Sequence, residues 1–381
     1  MIYLDNAATS HPKPAECLQR ALDKYLRLGA SPGRGGYDLA VEAERAVSDV
    51  RADVRRFFGG EERNPVCFFY NATEALNSLL QGVAEPGCHI VSTRLEHNAV
   101  LRPLHHLRAQ GRIEFDLVPF NAEGLVDPVD IAAAFRPHTR YVMLNHASNV
   151  TGAIQPVAEI GALCRERGIS FFLDVSQSAG LTPVQMEAWH VAGLAFTGHK
   201  SLLSPTGIGG LVLNPDLAIQ SSRYGGTGVD SSNPFHPREF PFRLEAGTIN
   251  LFGILALGET LAYVKALPEE VHRQKSDLFM ALRDGLSDLE RVEVYGPKRL
   301  ENRLPLLSCN VGGIDPADVA AILDGDFDIA VRAGLHCAPL VHQQLGTSPN
   351  GTVRFSLGFF NRKDEIDSAI NAMAAIAHVA T

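Results

Sequence analysis

Two residues at the ends of apolar segments have side chains that could do covalent chemistry together. Lys200 lies in the stretch AFTGHKS (195–201), which ends an apolar run and precedes a glycine-rich turn. Asp174 ends a second apolar run, 168–174. Both runs have the composition of buried strands, and α/β enzymes keep their chemistry at the carboxyl ends of such strands. A lysine that can form a Schiff base and an aspartate that can pair with a pyridinium nitrogen are the minimum set for pyridoxal phosphate (PLP) chemistry.

A phosphate-binding position is suggested by the segment Asn71-Ala72-Thr73-Glu74, which lies between a predicted strand and a predicted helix. Free N–H groups and the helix dipole would point at an anion there, and Thr73 adds a hydroxyl group. An ordinary helix N-cap would explain the same residues equally well.

Three further polar residues follow predicted strands at the same edge. His97, in the segment LEHN, could lie flat over an aromatic cofactor, although a lone histidine is more often structural. Gln177 lies three residues after Asp174, and Asn149 lies in the segment ASNVTG (147–152). These side chains are candidates for contacts with the ring.

The elements that must position these residues alternate between strands and helices. This alternation predicts an α/β fold with a mostly parallel sheet, covered on both faces by helices. Residues 222–246 carry too many Gly and Pro for a helix or a central strand, and we predict a functional loop there. We expect a large domain over 15–255 and a smaller α+β domain over 256–381 that also includes 1–14. The seven strands predicted for the large domain are 66–70, 89–92, 115–119, 141–145, 170–174, 194–197 and 209–213.

Composition excludes several classes of function. The chain has 381 residues, a net charge of −9 and no basic block, which argues against nucleic-acid binding. No apolar run reaches the length of a membrane span, and the N-terminus lacks the features of a secretory signal. Six cysteines without CxxC spacing argue against a zinc site or a disulfide framework. We therefore expect a cytoplasmic protein without a metal site, with reduced and mostly buried cysteines.

Seven motifs in order resemble those of the class V, fold type I PLP enzymes, and among them the cysteine desulfurase and selenocysteine lyase family. The resemblance covers essentially the whole chain, and the seven motifs are YLDNAAT (3–9), Glu96-His97, SNVTG (148–152), DVSQ (174–177), TGHK (197–200), EAGTIN (245–250) and RFSL (354–357).

This resemblance implies a role for each matching residue. Lys200 would hold PLP covalently, Asp174 would pair with its pyridinium, and His97 would stack on the ring and shuttle protons. Thr248 would reach the phosphate in the partner subunit, which implies a homodimer. The remaining implied contacts are Ala72, Thr73, Thr197 and His199 at the phosphate, Gln177 at the phenolic oxygen, Asn149 at cofactor or substrate, and Arg354 at the substrate carboxylate.

Cys337 lies in RAGLHCAPL (332–340), which is similar to the loop that bears the nucleophilic cysteine in SUF-type (group II) desulfurases. A neighbouring cation, either His336 or an arginine, is expected to favour its thiolate. The resemblance implies conversion of L-cysteine to L-alanine, a persulfide on Cys337 and a sulfur-acceptor protein as partner.

Other functions stay open at this point. The same scaffold serves selenocysteine lyases, and an aminotransferase or β-eliminase would leave Cys337 unused. A non-catalytic scaffold is disfavoured because Lys200 and Asp174 are both present, and the chain lacks the GxGxxG pattern of dinucleotide binding. The segment Arg34-Gly-Gly-Tyr37 has tyrosine where group II commonly has histidine, which leaves substrate preference, acceptor and pathway open.

Overall fold

The structure is a computed structural model that describes residues 1–33 and 35–379. In the segment Arg34-Gly-Gly-Tyr37, which differs from group II, Arg34 lies outside the described residues. Tyr37 is exposed and immediately precedes a helix. The helices are α1 Ala15–Leu28, α2 Asp38–Phe57, α3 Ala72–Val83, α4 Asn98–Ala109, α5 Pro128–Ala133, α6 Val157–Glu166, α7 Leu251–Lys265, α8 Glu269–Ser287, α9 Pro316–Phe327, α10 Pro339–Leu345 and α11 Lys363–Val379, with a 3₁₀ turn at Leu300–Asn302.

Thirteen strands form three sheets in the described part of the chain. They are β1 Ile2–Tyr3, β2 Val66–Phe69, β3 Cys88–Thr93, β4 Ile113–Val118, β5 Thr139–Asn145, β6 Ser170–Asp174, β7 Val191–Thr197, β8 Gly209–Leu213, β9 Val292–Tyr295, β10 Leu306–Val311, β11 Ile329–Ala330, β12 Arg332–Gly334 and β13 Thr352–Ser356.

The largest sheet has seven strands in the order β2-β8-β7-β6-β5-β3-β4, and β8 runs antiparallel to both of its neighbours. The other paired strands are parallel. The predicted α/β fold with a mostly parallel seven-stranded sheet is therefore confirmed. Helices cover both faces of this sheet, with α3 and α4 on one face and α6 and α7 on the other. Strands such as β6 and β7 are therefore apolar along nearly their whole length.

The smaller unit is built on an antiparallel sheet in the order β12-β13-β10-β9, covered by α8, α9 and α11. The N-terminal strand β1 pairs in parallel with β11 of this unit. The chain over 329–334 is divided between β11 and β12, which belong to different sheets. The division arises because β11 pairs with β1 while β12 pairs with β13. The short helix α10, which begins at Pro339, was not predicted.

The predicted domain boundary between residues 255 and 256 falls inside α7. This helix is apolar on nearly all sides, and it packs against α1 and α2 along its length. Leu255 and Ala256, on either side of the boundary, belong to the same buried cluster, and so does Leu261 further along. The packing places a division more naturally at 266–268, between α7 and α8, and the division into domains itself stays a prediction.

In the part of the chain that the structure describes, no single helix is long and apolar enough to cross a membrane. The pair α7 and α8, bent by 82° at their junction, meets the length and composition criteria only when the two helices are taken together.

Candidate active site

The predicted site residues converge on one cavity of about 240 Å³. Eleven of the twelve line it, with only Thr248 elsewhere. The cavity lies where the carboxyl ends of β5, β6 and β7 face β12, β13 and the loop after β12. We call the large-sheet side the lysine wall (Asp174, Thr197, His199 and Lys200) and the opposite side the cysteine wall (Arg332, His336, Cys337 and Arg354).

Asp174 is the last residue of β6 and is 7% exposed. One carboxylate oxygen, Oδ1, accepts hydrogen bonds from the backbone N–H of Ser176 at 2.9 Å and from its hydroxyl at 2.5 Å. The other oxygen forms no hydrogen bond within the described chain. The turn after the strand thus fixes the carboxylate and leaves one oxygen available for a cationic group in the cavity.

Lys200 lies three residues after β7, at the base of the cavity. Burial lowers the pKa of its amine to about 8, and the nearby Arg354 guanidinium acts in the same direction. The carboxylate of Asp174 opposes this shift. A lysine with this pKa has a substantial neutral fraction near pH 8, which is the nucleophilic form that Schiff-base chemistry needs.

Hydrogen bonds from the N-terminal segment hold the loop that carries Lys200. The carbonyl oxygen of His199 accepts hydrogen bonds from Thr9 Oγ1 (3.1 Å), Ser10 N (3.1 Å), Ser10 Oγ (3.2 Å) and Lys13 Nζ (2.6 Å). Gln177 Nε2 donates to the carbonyl of Ala7 at 3.1 Å. Residues 3–9 match a motif in the sequence, but the sequence assigns them no role. Their contact with a loop about 190 residues further along the chain cannot be read from neighbouring residues.

His97 is the N-cap of α4, and its Nδ1 accepts a hydrogen bond from the backbone N–H of Ala99 at 3.0 Å. The proton of the neutral ring therefore lies on Nε2. Burial, and next the positive charge of Lys200, lower the pKa of this histidine to about 4. His97 is consequently neutral near pH 7.

The phosphate-binding prediction corresponds to the N-terminus of α3, where Asn71 Oδ1 accepts from the N–H of Glu74 at 2.9 Å. The N-cap interpretation is thus correct, and it is compatible with the phosphate-binding prediction because Ala72 and Thr73 line the cavity. Gly209 approaches this helix end so closely that a Cβ there would lie 2.9 Å from the carbonyl carbon of Asn71.

Several buried polar atoms of cavity residues have no hydrogen-bond partner among the described residues: Thr197 Oγ1, His199 Nδ1, Asn149 Oδ1 and Arg354 Nε. Leaving such atoms unsatisfied costs roughly 1–3 kcal/mol each. Together with a helix N-terminus, a lysine and an aspartate, they form a donor and acceptor set that suits an anionic aromatic cofactor.

Cys337 differs from the other five cysteines, which are all buried. Burial raises the pKa of Cys164 and Cys309 to about 12, and it raises those of Cys17 and Cys88 as well. Cys337 is exposed at the mouth of the cavity. The expectation that the cysteines are mostly buried is confirmed, and only the Cys337 thiol is accessible to a substrate.

The loop that carries Cys337 has an unusual backbone, with φ of +48° at His336 and +57° at Cys337. Such angles are uncommon for residues other than glycine and persist where surrounding contacts enforce them. Two contacts do so here, because the Cys337 carbonyl accepts from the Asn98 N–H (2.7 Å) and the His336 carbonyl accepts from Asn149 Nδ2 (2.6 Å).

The expectation that His336 could be the cation beside Cys337 is wrong. This histidine is 6% exposed, and burial lowers its pKa to about 2, which makes it neutral. Its Nε2 lies 3.1 Å from both the carbonyl and the hydroxyl oxygen of Thr352. The arginine alternative stays a prediction, with Arg332 and Arg354 lining the same cavity as Cys337.

Arg354 is 2% exposed and comes from β13. Its guanidinium donates from Nη1 to the carbonyl of Asn149 at 3.1 Å and from Nη2 to Asp5 Oδ1 at 2.9 Å. Arg332, half-exposed and 3.9 Å from Asp5 Oδ2, also lines the cavity. Sequence reasoning assigned no role to Arg332 or Asp5, although both lie in the motifs that it quoted.

Thr248 is exposed and does not line the cavity of its own chain. It lies in a neighbouring groove with Arg223, Glu245 and Asn250. Glu245 of this groove forms a bidentate ion pair with Arg51, at 2.6 and 2.8 Å, that anchors the segment. The predicted contact of Thr248 with a partner subunit stays a prediction.

Comparison with known proteins adds an independent result. The family described as Aminotransferase class-V matches residues 2–368. Proteins named "Probable cysteine desulfurase" from Methanothermobacter thermautotrophicus and Pyrococcus abyssi are 31% and 32% identical to this chain. The alignments cover 99% and 98% of this chain, and 94% and 93% of those proteins.

A solved structure gives the same result for the fold. The apo cysteine desulfurase of Thermococcus onnurineus NA1 superposes with a TM-score of 0.91 at 33% sequence identity, over 99% of this chain and 95% of that one. The family match and the relatives both span nearly the whole molecule, including both walls of the cavity. The chain belongs to the aminotransferase class-V family.

Proposed function

We propose that the protein is a PLP-dependent cysteine desulfurase that takes sulfur from L-cysteine, releases L-alanine and keeps the sulfur as a persulfide on Cys337. The observation that carries this proposal is the position of the one accessible thiol. Cys337 lies across the cavity from Lys200 and Asp174, and its loop is held by Asn98 and Asn149 of the large-sheet unit. The names of the relatives support the same reaction.

The residues present fit the cofactor that this proposal requires. Lys200 would hold PLP covalently, Asp174 would pair with its ring nitrogen, and the unpartnered Thr197 and His199 atoms with the α3 N-terminus would hold its phosphate. When bound, PLP withdraws electrons from the bonds at the substrate α-carbon. The neutral His97 can stack on a ring without bringing a second positive charge.

The chain's own residues supply the remaining steps. Arg354, held by Asp5 and Asn149, presents a fixed guanidinium to the substrate carboxylate. Lys200 Nζ, with its lowered pKa, takes the proton from the substrate α-carbon and can return a proton to the product. His97 carries a proton on Nε2 that can be donated inside the cavity.

Sulfur transfer is the step that Cys337 performs. Its thiolate attacks the substrate sulfur, the carbon–sulfur bond breaks, and the bonding electron pair remains with the carbon that becomes the methyl group of alanine. One sulfur atom moves from substrate to enzyme, so that no external oxidant or reductant is needed. The basic side chains of Arg354 and Lys200 line the same cavity as this thiol.

The proposal also includes a homodimer in which Thr248 of each subunit contacts the cofactor phosphate of the other. Its exposure in a neighbouring groove supports this role, because Thr248 does not line the cavity of its own chain. A two-fold dimer would repeat the contact at both sites.

The direct test uses the native protein with PLP and L-cysteine. After brief incubation and removal of substrate, peptide mass spectrometry should find one added sulfur on Cys337. The five buried cysteines act as controls within the same sample, because their thiols are inaccessible and held protonated. Alanine formation without sulfur on Cys337 would contradict the proposal and favour a β-elimination in which this residue is unused.

A further inference from the structure

A second depression joins the cavity at Cys337. It has a volume of about 570 Å³ and runs outward along α3 and α4. Four residues line both spaces, namely Thr73, His97, Ala99 and Cys337. We call this depression the outer groove. Cys337 therefore lies between an inner space, where a substrate would bind, and an outer one that none of the proposed steps uses.

The outer groove is lined by positively charged side chains and by no acidic ones among the described residues. Its lining includes Arg102 and Arg112, and none of its lining residues, all of which lie in the described chain, is acidic. The segment 98–112, which comprises α4 and the turn after it, contains no Asp or Glu, although the whole chain has a net charge of −9. Arg102 is exposed and belongs to none of the ion pairs formed among the described residues.

Two further charged side chains, one in the groove and one beside it, have fixed hydrogen-bond or ion-pair partners. Arg112 Nη2 donates to the carbonyls of Gln81 and Ala84, both at 3.0 Å, so that its charge stays at the groove wall. Glu74, the one carboxylate on α3, is neutralised by an ion pair with Arg223 and by the N–H of Tyr70. The outer groove, α3 and α4 therefore carry no unpaired carboxylate, among the described residues, that could offset the charges of Arg102 and Arg112.

We infer that the outer groove receives an acidic polypeptide segment bearing a thiol, which takes the sulfur from Cys337. This inference rests on the proposed desulfurase function. An uncompensated positive surface attracts and orients a partner of opposite charge. The 12 residues of α4 span about 18 Å from the end near Cys337. About five extended residues cover that distance, which favours a polypeptide over a small thiol.

The transfer step is balanced without further reactants. The acceptor thiolate attacks the outer sulfur of the Cys337 persulfide, and the bond between the two sulfurs breaks. The Cys337 sulfur leaves as a thiolate with the bonding electron pair, while the acceptor becomes the persulfide. Because Cys337 borders both spaces, this exchange requires no passage of the acceptor through the inner cavity.

The test uses the PLP-loaded enzyme after reaction with L-cysteine and removal of excess substrate. Two five-residue peptides are compared, each with one central cysteine flanked by four glutamates or by four lysines. The neutral thiol dithiothreitol serves as reference. At low ionic strength the glutamate peptide should remove sulfur from Cys337 about tenfold faster than the lysine peptide, and high salt should reduce the difference.

Arg102→Glu should reduce this rate ratio at least severalfold, since it reverses the uncompensated charge of the groove. Arg140→Glu is the matched control, because Arg140 is an exposed arginine near the amino end of β5, the end opposite to the cavity. Using the ratio of two peptides in one protein cancels any effect of the variant on persulfide formation.

Equal rates for the two peptides, or a ratio unchanged by Arg102→Glu, would overturn the inference and leave the desulfurase proposal intact. A change in oligomeric state caused by Arg102→Glu would also overturn it, because the face would then be an interface between copies of this chain. If Cys337 gains no sulfur from L-cysteine, the desulfurase proposal itself fails.

Discussion

The lysine wall and the cysteine wall are built in different ways. Asp174 and Thr197 end strands β6 and β7, which are hydrogen-bonded neighbours in the large sheet, and Lys200 follows three residues later. Their positions follow from regular strand pairing. The cysteine wall instead depends on a loop with two successive left-handed residues and on contacts between residues far apart in sequence, such as Asn149 with His336.

This structural difference suggests that the two walls have different functions. Regular backbone fixes the groups that would hold a cofactor through every turnover. The thiol that must meet a substrate on one side and an acceptor on the other lies on a loop, at the junction of the two units. If this comparison is correct, changes in the two walls should affect cofactor binding and sulfur transfer separately.

The largest effect is expected in the lysine wall. Lys200→Ala should lose covalent capture of PLP and should lower cysteine turnover by on the order of 10⁴-fold or more, because it removes both the anchoring amine and the proton-transferring group. Borohydride reduction followed by peptide mapping measures the capture. Lys265→Ala, at an exposed lysine in the last turn of α7, is the matched control and should retain both properties. A reduced adduct on any other residue would refute the assignment.

Cys337→Ala should separate the two walls. It should retain PLP and bind L-cysteine, since the lysine wall and Arg354 are unchanged, but lose cysteine turnover by about 10³-fold or more. L-selenocysteine should be affected less, because selenium leaves more readily without thiolate attack. Sulfide, selenide and alanine are measured in parallel, with Cys88→Ala as the control at a buried cysteine. Unchanged cysteine turnover in Cys337→Ala would leave another class V reaction as the better account.

A third contribution to the cavity is expected from the partner subunit. Thr248→Val should weaken PLP retention about tenfold, the value expected for losing one hydrogen bond to a charged group. Dialysis followed by absorbance measures retention, and sedimentation checks that the variant is still a dimer. A protein that is monomeric and fully active would contradict both the shared site and the dimer.

The smallest effect concerns pH. Capture of PLP by the cofactor-free protein should become faster as pH rises through about 8, because only the neutral Lys200 amine attacks an aldehyde. The carboxylate of Asp174 favours the protonated amine, and Asp174→Asn should therefore move the midpoint of this rise to lower pH. Asp130→Asn, an equivalent change at an exposed position, should leave it unmoved. Capture that is independent of pH would show that Lys200 is not the titrating group.

The sequence by itself determined the lysine wall almost completely. Apolar runs that end in Asp174 and in the TGHK segment predict neighbouring strand ends, because buried parallel strands carry continuous apolar sequence and end at a common edge. The same reasoning predicted the seven strands of the large sheet with small differences in their limits, and a resemblance in motifs predicted the family.

Only the tertiary structure decided the charge of His336 and the surroundings of Cys337. Local sequence suggested a cationic histidine, but folding buries the ring against Thr352 and near Arg354, where a proton is unfavourable. Other features of the site also depend on contacts between distant segments. They are the contacts of residues 7–13 with the lysine loop, the pairing of Asp5 with Arg354, and the groove between Cys337 and Arg102. Burial and long-range pairing set the energies of these groups, and neither is encoded in the spacing of neighbouring residues.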